Sequence, residues 1–253
     1  MAQDKEEYLV KKRILELAEN AYRKDVCFYT DYLNLNELNL FFGILKELPD
    51  VSYEIWGGYD LAERKMIGFY TKDSFQKPMF PVKVIKIEPV HEKFSDELTH
   101  RDYLGAILNL GIERGKIGDI LVDEKCAFVF CNCKISEFII EQLKRIKHTN
   151  IRCSYYETDH FDYVPRTDKI SGTVSSVRLD SILSVAFHSS RSSLAGLAAG
   201  GKVYVNGRLI ESNSYVLKEN DVVSVRGLGK FVFVSVNNQT KKGRYSITIA
   251  KYV

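Results

Sequence analysis

The sequence predicts an α+β fold in three parts: a small α/β N-terminal domain (residues 1–75), a βαββαβ middle domain (76–166) and a basic C-terminal domain of short helices and strands (174–253). Three observations predict it. At 253 residues the chain has room for two or three compact domains of roughly 100 residues each. Its apolar periodicity switches between helical and strand spacing several times. Its charge is uneven: Ser171 to Val253 holds eleven Lys/Arg against four Asp/Glu, whereas the remainder holds 25 against 29, so a basic end follows an acidic body although the net charge is only +3.

In the first part, Tyr8, Leu9, Ile14, Leu15, Leu17 and Ala18 recur near a 3.6-residue period, which predicts an amphipathic helix. A second helix is expected from Asn36 to Leu48, stopped by Pro49. VSYEIWGGY and KMIGFYT are aromatic and β-branched runs around a polar connection and predict a hairpin, with Trp56 and Phe69 in its core.

In the second part, PVKVIKIEPV predicts a strand and LTHRDYLGAILNLG a helix capped by Thr99. KIGDILV and CAFVFCN predict strands joined through Asp123-Glu124-Lys125. SEFIIEQLKRIKH predicts an amphipathic helix capped by Ser136, with cations in its last turn, and IRCSYYE a closing strand. The order βαββαβ is that of a ferredoxin-like sandwich, similar to the RNA-recognition motif. Phe128 and Phe130 echo the aromatic strand on which such motifs stack bases, but the accompanying glycine pattern is missing, so they are read as core beneath the helices.

Asp162 to Thr173, with Pro165 and Gly172, reads as a linker. Beyond it Arg178-Leu179-Asp180 opens a helix with an apolar stripe of Leu179, Ile182, Leu183, Ala186 and Phe187. Ser189 to Ser193 suits the cap of a second helix, SLAGLAAG, ended by Gly200-Gly201. Lys202 to Val205 is a strand entering the Asn206-Gly207 turn, and Glu219-Asn220-Asp221 turns into the strand Val222–Val225. FVFVSVNN and RYSITIAKYV predict a final hairpin.

RLD, SRS, GKVYVNGR and ENDVVSVRGLGKF, in that order and spacing over about Val174 to Phe231, resemble the S-four-type RNA-binding domain, named after ribosomal protein S4. Leu98-Thr-His-Arg-Asp-Tyr-Leu-Gly-Ala and Gly111-Ile-Glu-Arg-Gly-Lys-Ile-Gly-Asp-Ile extend the resemblance to the YlmH family over most of the chain. The resemblance implies a ribosome-associated, non-enzymatic factor that binds large-subunit ribosomal RNA and tRNA, in rescue of stalled subunits and translational quality control. In the module, helix N-termini are expected to offer backbone N–H groups to phosphates. Arg178 and Arg191 would present guanidinium forks, with Ser190 and Ser192 beside them. Lys202, Asn206, Arg208, Arg226 and Lys230 would form a basic rim, and Lys241, Lys242 and Arg244 a second cluster in the last hairpin. These cations are expected to converge as one phosphate-facing patch. Asp180 is expected to orient an arginine or cap a helix. Where module members carry Lys or Gln along the second helix, this chain has Ser193, Ala195 and Ala199.

Competing classes find less support. No dinucleotide-binding glycine loop, P-loop or paired metal motif is present, and His91, His100, His148, His160 and His188 are scattered. Cys131-Asn132-Cys133 would place two sulfurs on one strand face but lacks a second pair, so neither metal nor cofactor is expected. Arg178-Leu179-Asp180 resembles the active-site triplet of pseudouridine synthases, which makes an RNA-modifying enzyme the alternative; an adaptor in cell division is a third reading. With no signal peptide in MAQDKEEYLV and no membrane-spanning stretch, a cytoplasmic monomer is expected.

Overall fold

The structure, a computed structural model, describes residues 2–72, 78–158, 161–163, 165–240 and 243–252. The chain divides into two compact units, Met1–Tyr163 and Val164–Val253. Among the described residues no helix is long and apolar enough to cross a membrane.

The first unit opens with α1 (Ala2–Lys24), β1 (Phe28–Tyr29), α2 (Leu35–Gly43), β2 (Val51–Trp56) and β3 (Met66–Thr71); its antiparallel sheet has the order β1-β3-β2. Ile14, Leu17, Ala18 and Ala21 form the buried face of α1, against Leu38 and Phe41 of α2 and Phe69 of β3. Tyr8 and Leu9, read as part of that stripe, are exposed. A reciprocal capping box between Asn34 and Glu37 starts α2. This helix stops at Gly43, short of the expected Leu48, because the step into Pro49 holds Leu48 extended and only a 3-10 turn, Leu45–Glu47, fits between. The hairpin forms as expected; Phe69 is core, but Trp56 at its end is only half-buried.

The same unit continues with β4 (Val82–Pro89), α3 (His100–Leu108), β5 (Ile117–Val122), β6 (Ala127–Asn132), α4 (Cys133–Gln142), β7 (Arg145–Ile146) and β8 (Thr149–Tyr155). The sheet order β5-β6-β4-β8-β7 is antiparallel throughout and places the motif's first strand between its third and fourth, the ferredoxin-like arrangement. Tyr103 and Ile107 of α3 and Ile139 of α4 pack on Ile85, Ile87, Val129 and Cys131. Thr99 and Asp102 cap α3 reciprocally.

Two expectations are corrected here. First, α4 begins at Cys133 under an Asn132 cap, Ser136 lies inside it, and it ends at Gln142. Ile146 is drawn into the core at 2% exposure and Arg145 pairs with Asn150, so all three cations leave the helix: Lys144 leads into β7, Arg145 opens it and Lys147 lies in the turn to β8. Second, Phe128 and Phe130 point away from the helices, because Ala127, Val129 and Cys131 take the helical side. Phe130 is fully buried there beneath Tyr59 at 4.9 Å and Phe161 at 5.1 Å between ring centroids, and Phe161 also meets Phe128 at 5.2 Å. The face that would stack bases in a recognition motif is filled by the protein's own rings.

Gly111 to Ile120, one of the two family-like stretches, fastens the three-stranded sheet to the sandwich. Tyr32 N donates to Gly115 O at 2.8 Å, and Lys116 pairs with Asp31 at 2.6 Å. Arg64 donates to Ile117 O at 3.0 Å and Tyr32 O at 2.8 Å. Asp119 accepts from Tyr59 Oη at 2.9 Å, Glu63 N at 2.7 Å and Arg64 N at 3.1 Å. Burial raises the Asp119 pKa against the pull of these donors, and burial lowers that of Arg114 to about 10. A Cβ on Gly118 would fall 2.7 Å from the Tyr32 ring, so glycine is required at that position.

The second unit comprises β9 (Thr167–Val174), α5 (Leu179–Ala186), α6 (Arg191–Leu194), α7 (Gly196–Ala199), β10 (Val203–Val205), β11 (Arg208–Leu209), β12 (Asp221–Val225), β13 (Gly229–Gln239) and β14 (Tyr245–Tyr252). Its sheet is antiparallel in the order β11-β10-β12-β13-β14-β9. Leu179, Ile182, Leu183 and Ala186 of α5, with Leu194 and Ala198, cover Val203, Val223, Phe231 and Phe233. The segment read as a linker is a strand for most of its length: Thr167 to Val174 pairs residue for residue with β14. Its polar character reflects an edge position, where one side of the ladder meets solvent.

Candidate nucleic-acid interface

The first turn of α5 is closed to ligands. Leu179 N and Asp180 N donate to Tyr215 O at 2.8 Å and Asn213 O at 3.2 Å, so the helix N-terminus expected to receive phosphate is occupied by the 210–217 loop. Side chains carry the site instead. Arg178 stands at the N-cap of α5 with extended backbone, and Arg191 is the first residue of α6. Both turn toward Asp180: Arg178 Nε lies 3.4 Å from Oδ1, and Arg191 Nη1 3.9 Å from Oδ2. Arg191 Nη2 also reaches Ser175 Oγ at 3.5 Å. Asp180 therefore faces two guanidiniums at ion-pair distance, while its buried Oδ1 has no hydrogen-bond partner among the described residues. With the arginine side chains at 46% and 49% exposure and the aspartate at 20%, the trio carries a net positive charge whose outer surface is cationic.

The serines hold the turn beneath Arg191. Ser190 Oγ accepts from Ser193 N at 3.2 Å and meets Ser192 Oγ at 2.9 Å, while Ser193 Oγ donates to Ser190 O at 2.7 Å. Asn206 is committed internally as well: its carboxamide donates to Asp221 Oδ1 at 2.8 Å and accepts from Val222 N at 2.9 Å, which fixes the Asn-Gly turn.

Among the described residues Lys202, Arg226 and Lys230 do not join the arginine pair, so the expected single patch is corrected to groups on two faces. Val203, Val223 and Phe231 point to the helices, and the residues alternating with them point to the opposite side. On that outer side Arg226 lies over the Tyr204 ring at 5.0 Å and Lys230 over Tyr252 at 4.8 Å. Lys202 is beside Arg226, whose N–H donates to Lys202 O at 2.9 Å. Arg208 is exposed on β11, paired with Val205 at the other end of β10. Arg244 Nη2 donates to Thr173 O at 2.7 Å; Lys241 and Lys242 lie outside the described residues. Tyr204 and Tyr252 escaped the sequence reading, although the strand alternation that buries Val203 and Val205 would have placed Tyr204 outward.

Burial lowers the Lys230 pKa to about 8. The unfolded chain keeps that proton to the ordinary lysine value, about 10.4. Between those limits the folded state binds one proton fewer, so this group's contribution to stability rises with pH. The Lys230→Met variant is expected to lack that rise, read as the change in urea midpoint between about pH 7 and about pH 9.5 relative to the unsubstituted chain. An identical pH dependence in both proteins would refute it.

The Cys131-Asn132-Cys133 stretch departs from the expected strand geometry. Cys131 is buried and its thiol pushed up to about 12, whereas Cys133 opens α4 in an exposed position, so the two do not share a strand face. Among the described residues no cluster of three or more metal-ligating side chains occurs.

The C-terminal unit, with two guanidiniums on a helix–sheet module, is matched by a family model. Residues 177–223 match the model described as "S4 domain". An RNA-binding protein with a C-terminal S4 domain is therefore the class that fold and site define. Residues 6–74 match "YlmH, N-terminal" and residues 76–160 match "Putative RNA-binding domain in YlmH", together more than half of the chain. The chain belongs to the YlmH family. It is 26% identical over 233 residues to "Ribosome-associated protein quality control protein P2" of Bacillus subtilis (strain 168), covering 88% of this chain and 86% of that one. It is also similar to the solved "Cell division protein ylmH from Streptococcus pneumoniae", at 24% identity and a TM-score of 0.49, covering 60% of this chain and 92% of that one.

Proposed function

We propose that this protein is a non-catalytic factor that docks on large-subunit ribosomal RNA beside a tRNA and acts in ribosome-associated quality control. The observation that carries the reading is the Arg178–Asp180–Arg191 arrangement: two planar forks, pre-oriented by one shared carboxylate on the rigid α5–α6 corner, suit the paired oxygens of a phosphate. The surplus of cations in the C-terminal unit and the name of the B. subtilis relative support it. Asp180, spent on two guanidiniums, acts here as a positioning group rather than as a nucleophile or base. An acidic remainder opposes non-specific approach to RNA and so favours one docking orientation.

The test is sedimentation of the purified full-length chain with ribosomal subunits at low ionic strength. Co-sedimentation with the large subunit, lost as salt rises, is expected. Recovery of the protein only at the top of the gradient would overturn the assignment.

A further inference from the structure

The helical face of the ferredoxin-like domain carries a groove that the C-terminal reading leaves unused. It lies between α3 and the turn joining α4 to β7, with a volume of about 580 Å³. Its rim carries four cations, Arg101, Lys144, Arg145 and Lys147, and one carboxylate, Asp102. That carboxylate is already engaged: it accepts from Thr99 N at 2.8 Å and Thr99 Oγ1 at 2.7 Å and pairs with Lys147 Nζ at 2.7 Å. Arg101 and Arg145 are exposed and have no carboxylate partner among the described residues.

The backbone that carries Lys144, Arg145 and Lys147 is held in place. Buried Ile146 pins the turn, Arg145 pairs with Asn150, and Asp96 receives His148 N at 2.9 Å and Thr149 Oγ1 at 3.0 Å. A pre-ordered rim loses little entropy when it meets a ligand. On the groove floor, the position of a Cβ on Gly105 is open space, so a broad ligand can come close to the backbone. No aromatic ring lines the groove, which leaves nothing for an unpaired base to stack on. The opposite, sheet face is filled by Tyr59, Phe130 and Phe161. Cations without rings suit the regularly spaced phosphates of a duplex.

We propose that this groove is a backbone-binding site for double-helical RNA, distinct from the arginine pair of the C-terminal unit. It lies on other residues in the other unit and stands or falls independently of that pair.

The experiment measures binding of the full chain to a labelled RNA duplex of about 20 base pairs across a salt titration. The variant Arg101→Ala/Lys144→Ala/Arg145→Ala is expected to bind at least about tenfold more weakly at low salt, with the slope of log affinity against log salt reduced by about 2–3. A control, Lys12→Ala/Arg13→Ala/Lys46→Ala, removes equal charge from exposed positions elsewhere in the same unit and is expected to bind as the unsubstituted chain does. All the substituted side chains are exposed, and matching thermal melts verify the fold. Unchanged duplex binding in the groove variant, an equal loss in the control, or an equal loss for a single strand of the same length would each overturn the site. Running Arg178→Ala/Arg191→Ala in parallel separates the two sites: a loss there with none in the groove variant removes this site and leaves the other standing.

Discussion

Replacing Asp119 with alanine is expected to destabilise the first unit by about 3 kcal/mol, because several part-buried donors are left without their acceptor. Three donors, Tyr59 Oη, Glu63 N and Arg64 N, lose their acceptor at once. The guanidiniums of Arg64 and Arg114, both drawn down in pKa by burial, lose the electrostatic attraction of this carboxylate. An unsatisfied buried donor costs about 1–3 kcal/mol by itself, and the total stays near the lower end of the sum over these donors because none of these groups is fully sealed from water. Urea unfolding followed by the fluorescence of Trp56, the single tryptophan, reads the same unit directly. Asp119→Asn retains an acceptor and should fall between the two. A midpoint shift equivalent to less than about 1 kcal/mol for the alanine variant would show that the clasp of Gly111 to Ile120 does not depend on this carboxylate.

The second large effect concerns binding. Arg178→Ala/Arg191→Ala is expected to weaken affinity for large-subunit ribosomal RNA by about 3 kcal/mol, roughly a hundredfold, from the loss of two charge-assisted contacts. Arg191→Ala alone should cost about 1–3 kcal/mol. Arg191→Lys should restore only part of that, because an ammonium keeps the charge but not the planar fork. Fluorescence anisotropy at several salt concentrations separates the cases. Unchanged affinity and salt slope in the double variant would exclude the pair from the contact.

Much of the fold was legible because it rests on short-range rules. Thr99 with Asp102 three residues on marks a helix start, Asn206-Gly207 marks a tight turn, and alternating Ile and Val mark β4; each appears in the structure. The βαββαβ order followed from such elements in sequence, and the S4 module from its resemblance to a known family. Besides the two-residue β1, two strands were missed for opposite reasons. β9 carries few apolar residues because it is an edge, and only its pairing with β14, more than 70 residues away, makes it a strand. β7 was hidden inside a helical period, which burial of Ile146 overrode.

The candidate interface divides the same way. That Arg178 and Arg191 stand at two helix starts was readable from residue type and spacing within one module. That Asp180 gathers both, and that Ser190 and Asn206 are spent on a cap and a turn, depends on side-chain geometry.

By itself, the sequence determined most of the helices and strands and which end of the chain is basic, because periodicity, caps and charge counts act over a few residues, and its motifs carried the resemblance that identified the C-terminal module. Only the tertiary structure decided which side chains meet. Phe130 is closed off by Tyr59 and Phe161, the C-terminal cations part onto two faces, and Arg101 meets Arg145 across a groove. The physical reason is that pairing of strands distant in sequence, and the choice of which sheet face is buried, sets these distances, and no local pattern encodes them.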